Sequence, residues 1–235
     1  MGKKKEEAAA APLPPEVLSA IDALKIKESS PEDKIAALDT LGSSACGVDV
    51  VRMDVVQAGI LEPLLELMDK GTPASKEAAA YALRHLSSGN FLRTAYDNPA
   101  AIVMAGGIPH LVALVREGTT ALQKEHAAAT LCCLASKMDN RTAVAKEGAI
   151  PPLIALIRDG TEEQSLQAAF ALGAIAFAHV PNQEAIRSAE GVSALEGLAR
   201  RHAGNAKVAQ VCAYGLRNLT PPPPVVVDPA GAAKT

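Results

Sequence analysis

A chain of 235 residues that is 49% apolar, 21% charged and 3% aromatic, with no tryptophan, carries enough apolar side chain to bury a core. Its abundance of Ala and Leu favours closely packed helices over a β-sandwich, whose strands draw on β-branched and aromatic residues. A net charge of −3, with no basic stripe interleaved with aromatics, excludes general nucleic-acid binding.

The first stretch, residues 1–13, is charged, then Ala-rich, then bounded by proline, and is expected to be a disordered tail. It lacks the apolar run of a signal peptide, and Glu6 stands where a myristoylation signal at Gly2 needs Ser or Thr. Residues 14–47 are expected to form an N-terminal helical cap. Val17, Leu18, Ile21 and Leu24 share one helical face. In "SSPEDKIAALDTLG", Ser30 can cap a helix, Pro31 suits its first position, and Glu32 and Asp33 favour its positive end. Ile35, Leu38 and Leu41 make the buried stripe, and Gly42 is expected to end the helix.

From there a unit recurs. In "AKEGAIPPLIALIRDGTEEQSLQAAFALGAIA" a short helix closes at Gly148, where a left-handed residue is cheap. Pro151 and Pro152 fit the first turn of a second helix, which carries Leu153, Ile154, Leu156 and Ile157 and stops near Gly160. Thr161 can cap a third helix bearing Leu166, Ala169, Phe170, Leu172 and Ile175. The same order appears in "MAGGIPHLVALVREGTTALQKEHAAATLCCLA" and in "QAGILEPLLELMDKGTPASKEAAAYALRHLS". A degraded copy follows in "SAEGVSALEGLARRHAGNAKVAQVCAYGLRNL". Asn98 and Pro99 read as cap and first position of one short helix, and Pro181 starts another.

The copies recur every 41 to 48 residues, which is the period of an α-solenoid. One unit cannot bury its own apolar face, so neighbours must stack. The expected units are about 48–89, 98–136, 139–178 and 181–219, followed at 220–235 by a proline-rich tail whose four consecutive prolines end the last helix.

The Gly-Ala-Ile-Pro opening and the later Ala-x-x-Ala-Leu phrase, in phased copies, resemble the armadillo repeat. HEAT repeats compete less well, because they usually lack the Gly-x-Ile-Pro elbow. The resemblance covers residues 48–219, strongest in the two central units, and implies an all-α, right-handed α-solenoid whose third helices line a concave groove. In nuclear import adaptors of this family, Trp and Asn four residues apart on those helices hold a basic peptide. The Trp-equivalent positions here are Tyr81, Ala129, Phe170 and Tyr214, and the Asn-equivalent ones His85, Cys133, Ala174 and Asn218. Only Asn218 keeps the amide, so the resemblance does not carry that activity over, and "MGKKK" is too short for an import adaptor's basic segment.

No enzyme chemistry emerges. The five histidines are scattered over separate units, and Glu125 and His126, as helix neighbours, are expected on different faces. "MAGGIPHL" follows a helix and lacks the Lys of a phosphate loop. Cys46, Cys132, Cys133 and Cys212 form no CxxC pair and read as reduced, buried thiols, so no metal or other cofactor is expected. No run of 18 apolar residues suggests a membrane span. What remains is protein binding. Helical register places Glu77, Tyr81, Arg84 and His85, then Glu125, His126 and Cys133, then Gln167 and Phe170, then Gln210, Tyr214, Arg217 and Asn218 on the groove side. Tyr and Arg are favoured interface anchors, although Tyr81, Phe170 and Tyr214 suit inter-repeat core equally well.

The expectation is therefore a non-enzymatic interaction module that takes a partner's helix or extended segment in the groove, with no small-molecule substrate and no nucleic acid. A structural subunit of a cytoskeletal or ciliary assembly is the second reading. A substrate-recruiting part of a ubiquitin ligase is the third, and no U-box is present. The expected location is the cytoplasm, with the nucleus or cytoskeleton as alternatives.

Overall fold

The computed structural model describes residues 13–45, 49–88 and 97–220; the expected tails apart from residues 13 and 220 lie outside these, as do the segment 89–96 and Cys46. The described residues form helices throughout. A first pair, α1 (Pro15–Lys25) and α2 (Pro31–Ala45), precedes four three-helix units. These are α3 (Asp49–Gln57), α4 (Leu61–Lys70) and α5 (Pro73–Ser87); α6 (Asn98–Met104), α7 (Gly107–Glu117) and α8 (Ala121–Ala135); α9 (Met138–Lys146), α10 (Ile150–Asp159) and α11 (Glu162–Ala176); and α12 (Val180–Ser188), α13 (Gly191–Arg201) and α14 (Ala206–Leu219).

The third helices of the four units begin where the sequence supplies a partner for their open N–H groups. Thr72, Thr120 and Thr161 cap α5, α8 and α11 by accepting from Ser75, Gln123 and Gln164, and Asn205 caps α14. Between first and second helices the chain turns through a left-handed residue: Gly59, Gly106 and Gly148 at φ 82, 82 and 83°, and Glu190 at φ 64° in the fourth unit. Only glycine holds that conformation without strain, so the degraded copy pays for its Glu190 with roughly 1 kcal/mol.

The third helices stack in the order α2, α5, α8, α11, α14, and the second helices α4, α7, α10, α13 stack behind them. Leu41, Leu83, Leu131 and Leu172 occupy one register of the third helices and are fully buried; each contributes on the order of 2 kcal/mol. Leu216, at the same register of α14, is only partly buried.

Two side-chain ladders hold the stack in register. Asn98, Asn140 and Asn182 recur every 42 residues. Their amides donate to the carbonyls of Leu86, Leu134 and Ile175 at 3.0, 3.1 and 3.0 Å, at the C-terminal ends of the preceding third helices. At the opposite ends, Gln123 donates to the Pro73 carbonyl at 2.7 Å and Gln164 to that of Ala121 at 3.0 Å, tying each third helix to the one before it. The carbonyls met by the asparagines lie in last turns and lack a helical partner, so each bond offsets the cost of leaving a buried acceptor unpaired, about 1–3 kcal/mol.

Two local expectations need correction. Gly42 does not end α2, which continues to Ala45; it is buried, and a Cβ there would overlap the Tyr81 ring. Asn98 does not cap α6. Asp97 does, accepting from the Ala100 N–H, which leaves the Asn98 amide for the ladder.

Candidate functional site

The outer faces of α5, α8, α11 and α14 form one continuous surface, and their side chains differ from unit to unit. At the α5–α8 junction Arg84 lies across to the next helix. Its Nη1 donates to Glu125 Oε1 and to His126 Nδ1, both at 3.1 Å. Helix neighbours Glu125 and His126 thus meet one cation although they leave α8 in different directions. The reason is that Arg84 comes from another helix and spans the two directions in which they point. Tyr81 completes the cluster, with ring centroids 4.5 Å from His85 and 5.5 Å from His126. His126 is buried, and desolvation together with the Arg84 charge, and secondarily His85, lowers its pKa from the usual value to about 4. It is neutral at neutral pH, with Nδ1 accepting from the guanidinium.

Glu77, on the same surface, accepts from the Thr120 hydroxyl, and Cys133 Sγ lies 3.9 Å from the Ser88 hydroxyl. Burial raises the Cys132 thiol to about 12, aided by its neighbour Cys133, which makes it a poor nucleophile. Among the described residues no group of three His, Cys, Asp or Glu side chains could hold a metal ion.

The α11–α14 junction is built differently. The Phe170 and Tyr214 rings, both half-buried, stand 6.3 Å apart, and Tyr214 lies against Gly173, where a Cβ would overlap its ring. This repeats the packing of Tyr81 on Gly42: in each case a tyrosine rests on a glycine of the preceding third helix. Asn218 is buried and donates to the Gly173 carbonyl at 3.0 Å, so its amide braces the stack. Gln167 donates to Glu163 at 2.8 Å, and Lys207 reaches the same carboxylate at 3.1 Å. Although partial burial raises the Glu163 pKa, those bonds and the Lys207 charge outweigh it and hold the carboxyl below its usual range. Gln210 and Arg217 are exposed.

The candidate residues therefore fall into two groups. Arg84, Glu125, His126 and Asn218 are engaged with other units, and Tyr81 and Tyr214 rest part of their rings on neighbouring glycines. Gln210 and Arg217 are exposed, and Gln167 and Phe170 are half-buried. Sequence reasoning missed the three ladder asparagines and the two glycines beneath the tyrosines, although the 42-residue recurrence of Asn98, Asn140 and Asn182 was there to be read.

This geometry defines an α-solenoid of three-helix units. Residues 49–88, the first unit, match the family model "Armadillo/beta-catenin-like repeat", whereas the sequence resemblance is strongest in the central two units. No curated protein sequence matches the chain. Among solved structures, it is similar to a designed armadillo repeat protein in complex with the peptide (KR)4, at 23% identity and a TM-score of 0.75, covering 86% of this chain and 80% of that one. A computationally designed armadillo repeat protein for modular peptide recognition is similar at 23% identity, 85% and 80% coverage and a TM-score of 0.74. An engineered protein matches at 27% identity, 86% and 79% coverage and a TM-score of 0.76. The chain has the fold of an armadillo-repeat solenoid, and its first unit matches the armadillo family model. No single helix among the described residues is long and apolar enough to cross a membrane.

Proposed function

We propose that this protein is a non-enzymatic interaction module that binds a helix or an extended segment of a protein partner along the concave face of α5, α8, α11 and α14. The observation that carries the reading is the division of labour between frame and face. Ladders of buried amides to backbone carbonyls hold the repeats, while the groove positions vary in size, charge and aromaticity. A rigid frame lowers the ordering cost of binding, and a varied face supplies selectivity. The likeness to a designed armadillo protein that holds a peptide supports the same use of the surface.

The test is partner capture from native extract by the wild-type chain and by Gln210→Trp. Gln210 is exposed, so the bulky replacement obstructs the groove without entering the core. Loss of the captured partner, with an unchanged circular dichroism spectrum and melting curve, is the expected result. Undiminished capture places the interaction elsewhere on the molecule.

A further inference from the structure

The two junctions differ in what they leave for a partner. At α5–α8 the groove cation, Arg84, is already neutralised by Glu125, whose side chain is 14% exposed. At α11–α14 the nearby carboxylates are taken by other groups: Glu163 by Lys207, and Glu162 by His202 at 3.1 Å. Arg217 is exposed, three residues on from Tyr214 on the same face of α14, and no carboxylate of a described residue pairs with it. Four residues beyond Phe170, Ala174 adds no side chain past its Cβ, so the half-buried rings of Phe170 and Tyr214 keep an apolar surface beside this cation. Gln167 on α11 and Gln210 on α14 flank the rings with amides that can both donate and accept.

We infer that the α11–α14 half of the groove is the recognition site and that it takes an extended segment carrying an apolar side chain followed by a carboxylate. The apolar side chain lies against Phe170 and Tyr214, the carboxylate meets Arg217 as a charge-assisted pair, and the Gln amides take backbone groups of the segment. An extended backbone is required, because a helix has already spent its N–H and C=O groups on itself. Alternate residues of a strand point the same way, roughly 6–7 Å apart, so the sequence read is apolar-x-acid. The α5–α8 half, its charge already cancelled, contributes shape only. This inference rests on the groove reading above and adds the partner's chemistry to it.

The experiment measures fluorescence anisotropy of two labelled, capped decapeptides in a Gly-Ser background, one containing Leu-Gly-Glu and the other Leu-Gly-Lys, against the full chain. The expected result is about tenfold tighter binding of the Glu probe, reversed in favour of the Lys probe by Arg217→Glu. Equal affinities, a preference that Arg217→Glu leaves unchanged, or no binding of either probe overturns the inference. If those results accompany loss of the captured partner in Gln210→Trp, the groove reading stands and only the acidic partner falls. If Gln210→Trp also leaves capture intact, both fall.

Discussion

The α5–α8 and α11–α14 junctions have the same backbone plan and opposite polar habits. In the first, an arginine, a glutamate, two histidines and a tyrosine form a cluster that satisfies itself. In the second, two rings and two glutamines lie beside an arginine that has no carboxylate partner among the described residues. The difference begins with one residue, Ala129, at the register where the other three units carry Tyr81, Phe170 and Tyr214. At that unit the guanidinium of Arg84 crosses to Glu125 and His126 on α8. Repetition of a backbone unit therefore does not repeat its surface. Where one unit lacks the ring, an arginine from its neighbour braces the junction instead.

Four substitutions probe that contrast. The largest effect is expected from Gly173→Leu, which forces Tyr214 off α11. Overpacking of this kind costs about 2–3 kcal/mol, read as a lowered denaturation midpoint, and removes the apolar part of the α11–α14 site. A midpoint equal to wild type would show that Tyr214 does not need the glycine.

The next effect belongs to the other half and depends on pH. The His126 pKa is lowered in the folded chain to about 4 from an unfolded value near 6.5, so the unfolded state binds the extra proton first. The stability contributed by its neutral form is fully present above about pH 6.5 and is lost as pH falls toward about 4. With screening by nearby solvent the loss amounts to about 1–2 kcal/mol. Urea titrations from pH 7 to 4 should show this slope in the wild type and a shallower one in His126→Asn; parallel profiles would remove the histidine from the account.

The smallest effect comes from Lys207→Ala. The Lys207–Glu163 pair is 58% and 42% exposed, so its loss should cost no more than about 0.5 kcal/mol. Glu125→Ala, which strands the Arg84 charge beside His126, should cost several times as much by the same thermal melts. Equal losses would erase the distinction between a braced and an open junction.

The repeat was legible because its signals are local. Glycine at a left-handed turn, prolines in a first helical turn and Thr at a cap mark the elbows of the unit wherever it recurs. What escaped reading involved side chains acting at a distance. Gly42 looked like a helix stop because glycine usually is one, yet its purpose is the ring of Tyr81, 39 residues away. Asn98 looked like a cap because Asn favours caps, but the neighbouring Asp97 took that role and left the amide for Leu86. Glu125 and His126 looked divergent because only their own helix was considered.

Periodic burial and local turn chemistry determined the helices, their order and the stacking of four units, since these depend on residues a few positions apart. Only the tertiary structure decided which groove side chains brace the stack and which face outward. That outcome depends on pairs about 40 residues apart, Arg84 with Glu125 and Gly173 with Asn218, whose meeting no local pattern encodes.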